Sequence, residues 1–234
     1  MKDTNTLSSI SSGKTMQTIS PNKLDTSSGS STSNFCYSVW FYIDDWNYRY
    51  GEEKVIFGRM ESGTTNPCPL VSLGAIQNNV NVAMQVYGGM PASGSTSAPS
   101  TTTVSSTAST TSVSSSGDIH NCGVSNVPIQ KWVNLIISAY GRSLDVYIDG
   151  KLVRTCVLPG VAKIDPNANV YVTPNGGFSG WTSNLQYWPT SCDPQKAWNI
   201  YKKGYGGSWL GNLGRYSVKV SLMEGNNEDT SFQL

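Results

Sequence analysis

Few residue groupings in this 234-residue chain could do chemistry, and the best of them suits binding rather than cleavage. Asp145 and Asp149, in Asp-Val-Tyr-Ile-Asp, share strand parity, as the paired carboxylates of a glycoside hydrolase would. At roughly 3.3 Å per residue they would sit about 13 Å apart, beyond the roughly 5 to 9.5 Å over which such pairs work. Asp149 is also committed to a tight turn with Gly150. His120, the only histidine, ends a Ser/Thr-rich stretch where no rigid neighbour would hold a triad, so it reads as a loop residue. With Cys122 it makes His-x-Cys, a weak metal or thiol motif. No Gly-x-x-x-x-Gly-Lys-Ser/Thr run is present to cradle a phosphate. The expectation is a chain that is not an enzyme.

Binding has a better candidate in Trp46-Asn-Tyr48-Arg-Tyr50. If this segment is extended, alternation puts its three rings on one side, and flat rings stack on sugar faces. Arg49, with Asp44 and Asp45, would then reach hydroxyl groups. The alternative reading packs Trp46, Tyr48, Arg49 and Tyr50 on the edge of the domain or against another subunit. Asp44, Asp45 and Asp118, with Asn47 as a neutral helper, are the oxygen donors open to calcium. No Asp-x-Asp-x-Asp run joins them, so no cofactor is expected and calcium is the one ion left to consider.

The elements that must position these residues are strands. Trp132 to Pro159 reads as a three-strand meander centred on Asp149-Gly150, a two-residue type I′ turn flanked by alternating apolar residues. A two-residue loop pairs Ile148 with Lys151, Val146 with Val153 and Leu144 with Thr155 on a core face. It leaves Tyr147 opposite Leu152, and Asp145 opposite Arg154 as an ion pair, toward solvent. Phe35 to Ile43 has large residues on both faces, as a central strand does. Further strands are predicted at 54–60, 70–76, 80–87, 169–173, 181–188 and 216–223, with a short edge segment at 231–234. On the 181–188 strand, Trp181, Ser183, Leu185 and Tyr187 are expected to share one face. One helix follows Asp193-Pro194 and stops at Gly204.

Two stretches carry a family resemblance. VPIQKWVNLIISAYGRSLDVYIDGKLV resembles the central hairpin of concanavalin A-like, laminin-G-type domains, and GGFSGWTSNLQYWPTSCDPQKAWNIYKKG resembles their closing strand and helix. Together they span roughly residues 128 to 206, and the pattern is most similar to the laminin-G-like proteins of large DNA viruses. The resemblance implies an all-β, two-sheet antiparallel jelly-roll sandwich with one short helix. It implies no particular activity, since this fold carries lectins, hydrolases and structural modules alike.

The totals narrow the rest. Residues 1–34 hold 16 Ser or Thr and are expected to form an arm, disordered in isolation, ahead of a sandwich at 35–234. A Ser/Thr-rich insertion at 91–117 is expected to lie in a loop. Charged residues are only 13% and the net charge is +1, which removes the electrostatic basis for nucleic-acid or acidic-membrane binding. Five cysteines, odd in number and widely spaced, predict reduced thiols rather than a disulfide framework. No apolar leader or Asn-x-Ser/Thr sequon is present, so secretion by a signal peptide is not expected. Low charge and long arms suit a chain held inside an assembly. With the resemblance, these lead to a structural protein of a virus particle, a minor capsid component assembled in the host cytoplasm. Its partners would be other capsid proteins or copies of itself. A lectin-like module that binds glycans is the competing reading.

Overall fold

A computed structural model describes residues 6–24, 33–61, 66–88 and 118–206, and the backbone of 219–224 and 227–233. The insertion at 91–117 lies outside the described residues. The chain contributes short strands β1 (Thr6–Ser8), β2 (Ser11–Ser12) and β3 (Gln17–Ile19), then a 3-10 turn at Pro21–Lys23. Next come β4 (Phe35–Asp45), β5 (Lys54–Met60), β6 (Leu70–Leu73), β7 (Val80–Val86) and β8 (Asp118–Val124). The meander is β9 (Trp132–Tyr140), β10 (Ser143–Ile148) and β11 (Lys151–Val157), followed by β12 (Asn169–Val172), β13 (Ser179–Trp188) and helix α1 (Pro194–Lys202). A separate hairpin joins β14 (Lys219–Glu224) to β15 (Asn227–Gln233).

Two antiparallel sheets face each other, as expected for an all-β sandwich with one helix. The first runs β1-β13-β4-β9-β10-β11, with β2 also paired to β13, and the second runs β3-β12-β5-β6-β7-β8. Strand β4 is central because both its faces bury. Phe35, Tyr37, Val39, Phe41 and Ile43 enter the core between the sheets, while Cys36, Ser38 and Trp40 are covered on the other side. That second cover is α1, whose Ala197 and Ile200 pack with Ile136 and Tyr147. Asp193 caps the helix by accepting from the Lys196 N–H at 2.7 Å, proline follows at its first position, and Gly204 ends it at φ +76°.

The Asp149-Gly150 turn forms with positive φ at both residues, and Ile148 and Tyr147 keep the expected partners Lys151 and Leu152. Beyond them the register departs from the expected one. A bulge at Val153 places Val146 opposite Arg154, Asp145 opposite Thr155 and Leu144 opposite Cys156. The Asp145–Arg154 ion pair is therefore not formed: Asp145 accepts from Thr155 at 2.6 Å, and Arg154 donates to the Gly123 carbonyl. Tyr147 is not at the surface either, being 1% exposed beneath α1. On β13 a second irregularity, with Asn184 at φ +49°, reverses the facing of the strand. Thr182 lies opposite Phe41 and points inward before it, Leu185 and Tyr187 point inward after it, and Trp181 faces out, apart from them.

Two further expectations are corrected. Residues 6–24 are not a free arm: β1 and β2 extend the first sheet at β13, β3 extends the second at β12, and Ile19 and Leu24 are buried. Backbone ladder bonds order a segment whose side chains offer little to bury. The cysteines are not all reduced: Cys36 pairs with Cys192, and Cys122 with Cys156, leaving Cys68 as a buried thiol. Sequence separations of 156 and 34 residues hide this adjacency, because β8 and β11 are the terminal strands of opposite sheets on the same side of the sandwich. One side of the sandwich is thus crossed by residues 6–19 and the other by a disulfide. His120 lies within β8 opposite Met84, half-buried, rather than in a loop.

Candidate functional site

The segment proposed from the sequence sits at the rim where β4 ends, and it is turned rather than extended. Asp45 caps the first bend by accepting from the Asn47 N–H at 2.9 Å, and Arg49 takes a left-handed φ of +51°. Alternation is lost there, so the three rings go to different places. The Tyr48 hydroxyl donates to the Gly176 carbonyl at 3.2 Å, and Lys14 lies over its ring at 4.6 Å. Arg49 pairs with Glu52 and donates to the carbonyls of Asn175 and Gly177, which staples the turn to the loop before β13. Tyr50 is 58% exposed.

Trp46 is different. Its indole N–H donates to the Ile76 carbonyl at 3.1 Å, and the Lys54 ammonium sits 4.8 Å from its ring centroid. Lys54 is only 1% exposed and its Nζ has no hydrogen-bond partner among the described residues, where the ring face is the ammonium's main compensation. Burial holds the Lys54 pKa below its usual value, with Arg49 adding repulsion and Glu52 opposing both. Held at its edge and by a cation, Trp46 forms one wall of a cleft of about 560 Å³. Ile76 and Ile129 supply apolar lining, and Gln77, Asn78 and Asn126 supply amides.

Among the described residues no Asp, Glu, Lys or Arg lines this cleft. An anionic or cationic ligand would find no counter-charge in it, whereas a neutral molecule with one apolar face and many hydroxyls would find a ring and several amides. Its volume lies in the range of small-ligand sites. A second hollow of about 410 Å³ continues from it, sharing Ser125 and Asn126 and reaching Ile148, Val153 and Arg154. Asn126 stands between the two at φ +58°, a conformation asparagine tolerates better than most side chains.

The remaining candidates do not converge. The Asp149 carboxylate is occupied by the Asn134 N–H and the Lys131 ammonium, and Cys122 is consumed in its disulfide. Among the described residues no group of three or more His, Cys, Asp or Glu gathers where a metal ion could sit. Asp44 and Asp45 are exposed at the end of β4, while Asp118 opens β8 on the second sheet. Burial pushes the Cys68 thiol up to about 12, which leaves it unreactive. Of the lining, Trp46 alone was singled out in the sequence as a ligand contact. Gln77, Asn78 and Asn79 read there only as a turn, and nothing in the sequence sets that run of amides beside Trp46.

No protein-family model matches the chain, and no curated protein does either. Solved structures do resemble it. The receptor-binding domain of botulinum neurotoxin D is 12% identical with a TM-score of 0.57, the match covering 92% of this chain and 47% of that one. The receptor-binding domain of the botulinum neurotoxin C/D mosaic serotype is 11% identical with a TM-score of 0.54, over 85% of this chain and 45% of that one. The chain spans less than half the length of these neighbours, and at such identities the likeness concerns the fold alone.

Proposed function

We propose that this chain is a non-catalytic carbohydrate-binding module whose site is the rim cleft walled by Trp46. The observation that carries the reading is a fixed indole bounding a concave, uncharged, amide-lined space of about 560 Å³. Stacking would supply the apolar contact, and the amides of Gln77 and Asn126 would bond hydroxyls at little desolvation cost, since none of these groups is ionised. The solved neighbours whose names describe receptor-binding domains agree with a binding role. A structural part in a virus particle draws its support from the motif resemblance alone.

The two disulfides bear on where such a module works. Disulfides persist in oxidising surroundings, secreted or on a cell or particle surface, and are rare in the cytosol. We therefore place the working protein on the oxidising side of a membrane or at the surface of a particle, where glycans are also met.

A glycan array probed with the wild type, Trp46→Ala, Asn126→Gly and Tyr50→Ala tests the reading. Binding should fall at least tenfold in Trp46→Ala, about 1.4 kcal/mol, fall less in Asn126→Gly, and stay unchanged in Tyr50→Ala. No bound glycan, or binding indifferent to Trp46 and Asn126, rejects it. Asn126→Gly tolerates the positive φ and so separates loss of contact from loss of fold.

A further inference from the structure

The outer face of the first sheet carries a row of rings that no single stretch of sequence announces. Trp181 on β13 pairs with Tyr42 on β4, and Tyr42 pairs with Trp132 on β9, so three aromatic side chains stand side by side across three adjacent strands. The Tyr42 and Trp132 ring centroids are 5.8 Å apart. Trp132 lies face to face with Tyr205 at 4.5 Å, with 7° between the planes. Tyr205 is held there by its carbonyl, which accepts from Ser183 at 2.6 Å. Helix α1 covers the next position on β4, Trp40, by stacking Tyr201 on it at 5.6 Å, but the row itself stays open. Trp181 is 49% exposed and Tyr205 43%, with Tyr42 and Trp132 half-buried.

Packing alone does not account for open rings in register, because each loses contacts and leaves apolar surface in water. The row also has a polar border. Asp44, two residues beyond Tyr42 where the pairing of β4 with β13 turns irregular, is exposed, and its carboxylate has no partner among the described residues. On the β9 side Lys131 and Asp149 form an ion pair at 3.1 Å beside Trp132. Flat rings bordered by hydrogen-bonding groups suit a sugar chain better than a protein surface, which would bury those charges at a cost. With neighbouring strands about 4.8 Å apart, the three ladder positions span about 10 Å, room for roughly two pyranose rings.

Two connections tie the row to the cleft along the chain. Trp46 follows Tyr42 by four residues, Ile129 precedes Trp132 by three, and the Gln130 N–H donates to the Ile43 carbonyl at 2.9 Å, binding the two connections side by side. We infer that the cleft and the row form one extended site, taking an oligosaccharide chain whose end enters at Trp46 while further units lie across Trp132, Tyr42 and Trp181. This rests on the glycan-binding reading and adds the length of the ligand to it.

Calorimetry with malto-, cello- and chito-oligosaccharides of one to six units tests the inference. For a series that binds, affinity should climb at least tenfold between two and five units. Trp181→Ala and Trp132→Ala should flatten that climb while leaving the one- and two-unit sugars within twofold. Trp46→Ala should weaken every length. A flat dependence in the wild type, or a climb untouched by both row variants, overturns the inference and leaves the cleft standing. Row variants that change sedimentation and not sugar affinity overturn it too, by assigning the row to a protein contact. Failure of all three series at every length instead contradicts glycan binding itself. Trp181 is exposed, so Trp181→Ala should keep the wild-type circular dichroism.

Discussion

Two sets of aromatic residues in this chain behave in opposite ways. Trp46, Tyr48 and Tyr50 are neighbours in sequence, yet the turn that contains the left-handed Arg49 gives Trp46 and Tyr48 different partners and leaves Tyr50 exposed. Tyr42, Trp132, Trp181 and Tyr205 come from three strands and a post-helix loop, and they meet in one row. Spacing along a segment sets which side chains share a face only while the backbone stays regular. Across a sheet, register does this for residues any distance apart. Rim rings therefore have to be fixed one by one, as Lys54 and the Ile76 carbonyl fix Trp46, whereas row rings are fixed together by the ladder.

That contrast can be broken most forcefully at Gly180. A Cβ there would lie 1.9 Å from the Tyr42 carbonyl oxygen, at a φ of +151°, so Gly180→Ala has to push β13 away from β4 beneath the row. The expected cost is about 3 kcal/mol or more in urea unfolding. A cost under about 0.5 kcal/mol would mean that the Trp181–Tyr42 pairing is not what organises this face. The Cys122–Cys156 bond tests the rim instead, because the connection from β8 to β9 that lines the cleft starts beside it. Cys122→Ser with Cys156→Ser should lose about 2 to 4 kcal/mol and weaken short sugars, with the row's fluorescence preserved. Wild-type protein whose intact mass matches five free thiols would remove both disulfides from the account.

The smallest effect is expected at Lys54. Its pKa is lowered in the fold, so the charged form opposes folding. That penalty is present at neutral pH and disappears as pH rises from the lowered value toward 10.5. Lys54→Met should abolish this rise in stability with pH and raise the melting temperature at pH 7. It should also loosen Trp46 while leaving Trp132 and Trp181 as they were. A variant with the wild-type pH profile would show that the ammonium is better solvated than its position under the indole implies.

Much of the fold was legible because its signals are local. Asp149-Gly150 fixes a turn by backbone conformation, Asp193-Pro194 starts a helix, and Phe35 to Ile43 alternates without interruption. What was hidden depends on partners elsewhere in the chain. The bulge at Val153 and the reversal at Asn184 leave no mark in composition, yet each moves every later side chain to the other face. The same bulge sets Cys156 where it meets Cys122, so the disulfide was as hidden as the register. Strands β1 to β3 were missed because ladder bonds, not apolar side chains, order them. Of the candidate site, Trp46 could be named in advance, but the cleft could not, since Ile76 and Ile129 reach it from connections far apart in sequence.

The most direct measurement follows the indole N–H signals of the seven tryptophans in an NMR titration with the bound oligosaccharide. The account expects the Trp46 signal, bonded to the Ile76 carbonyl, to shift with the shortest sugar that binds. Trp132 and Trp181 should join it only as the sugar lengthens, and Trp40, beneath Tyr201, should stay in place. Shifts confined to other tryptophans, or none at millimolar sugar, would contradict the claim that this sandwich binds glycans at its Trp46 rim.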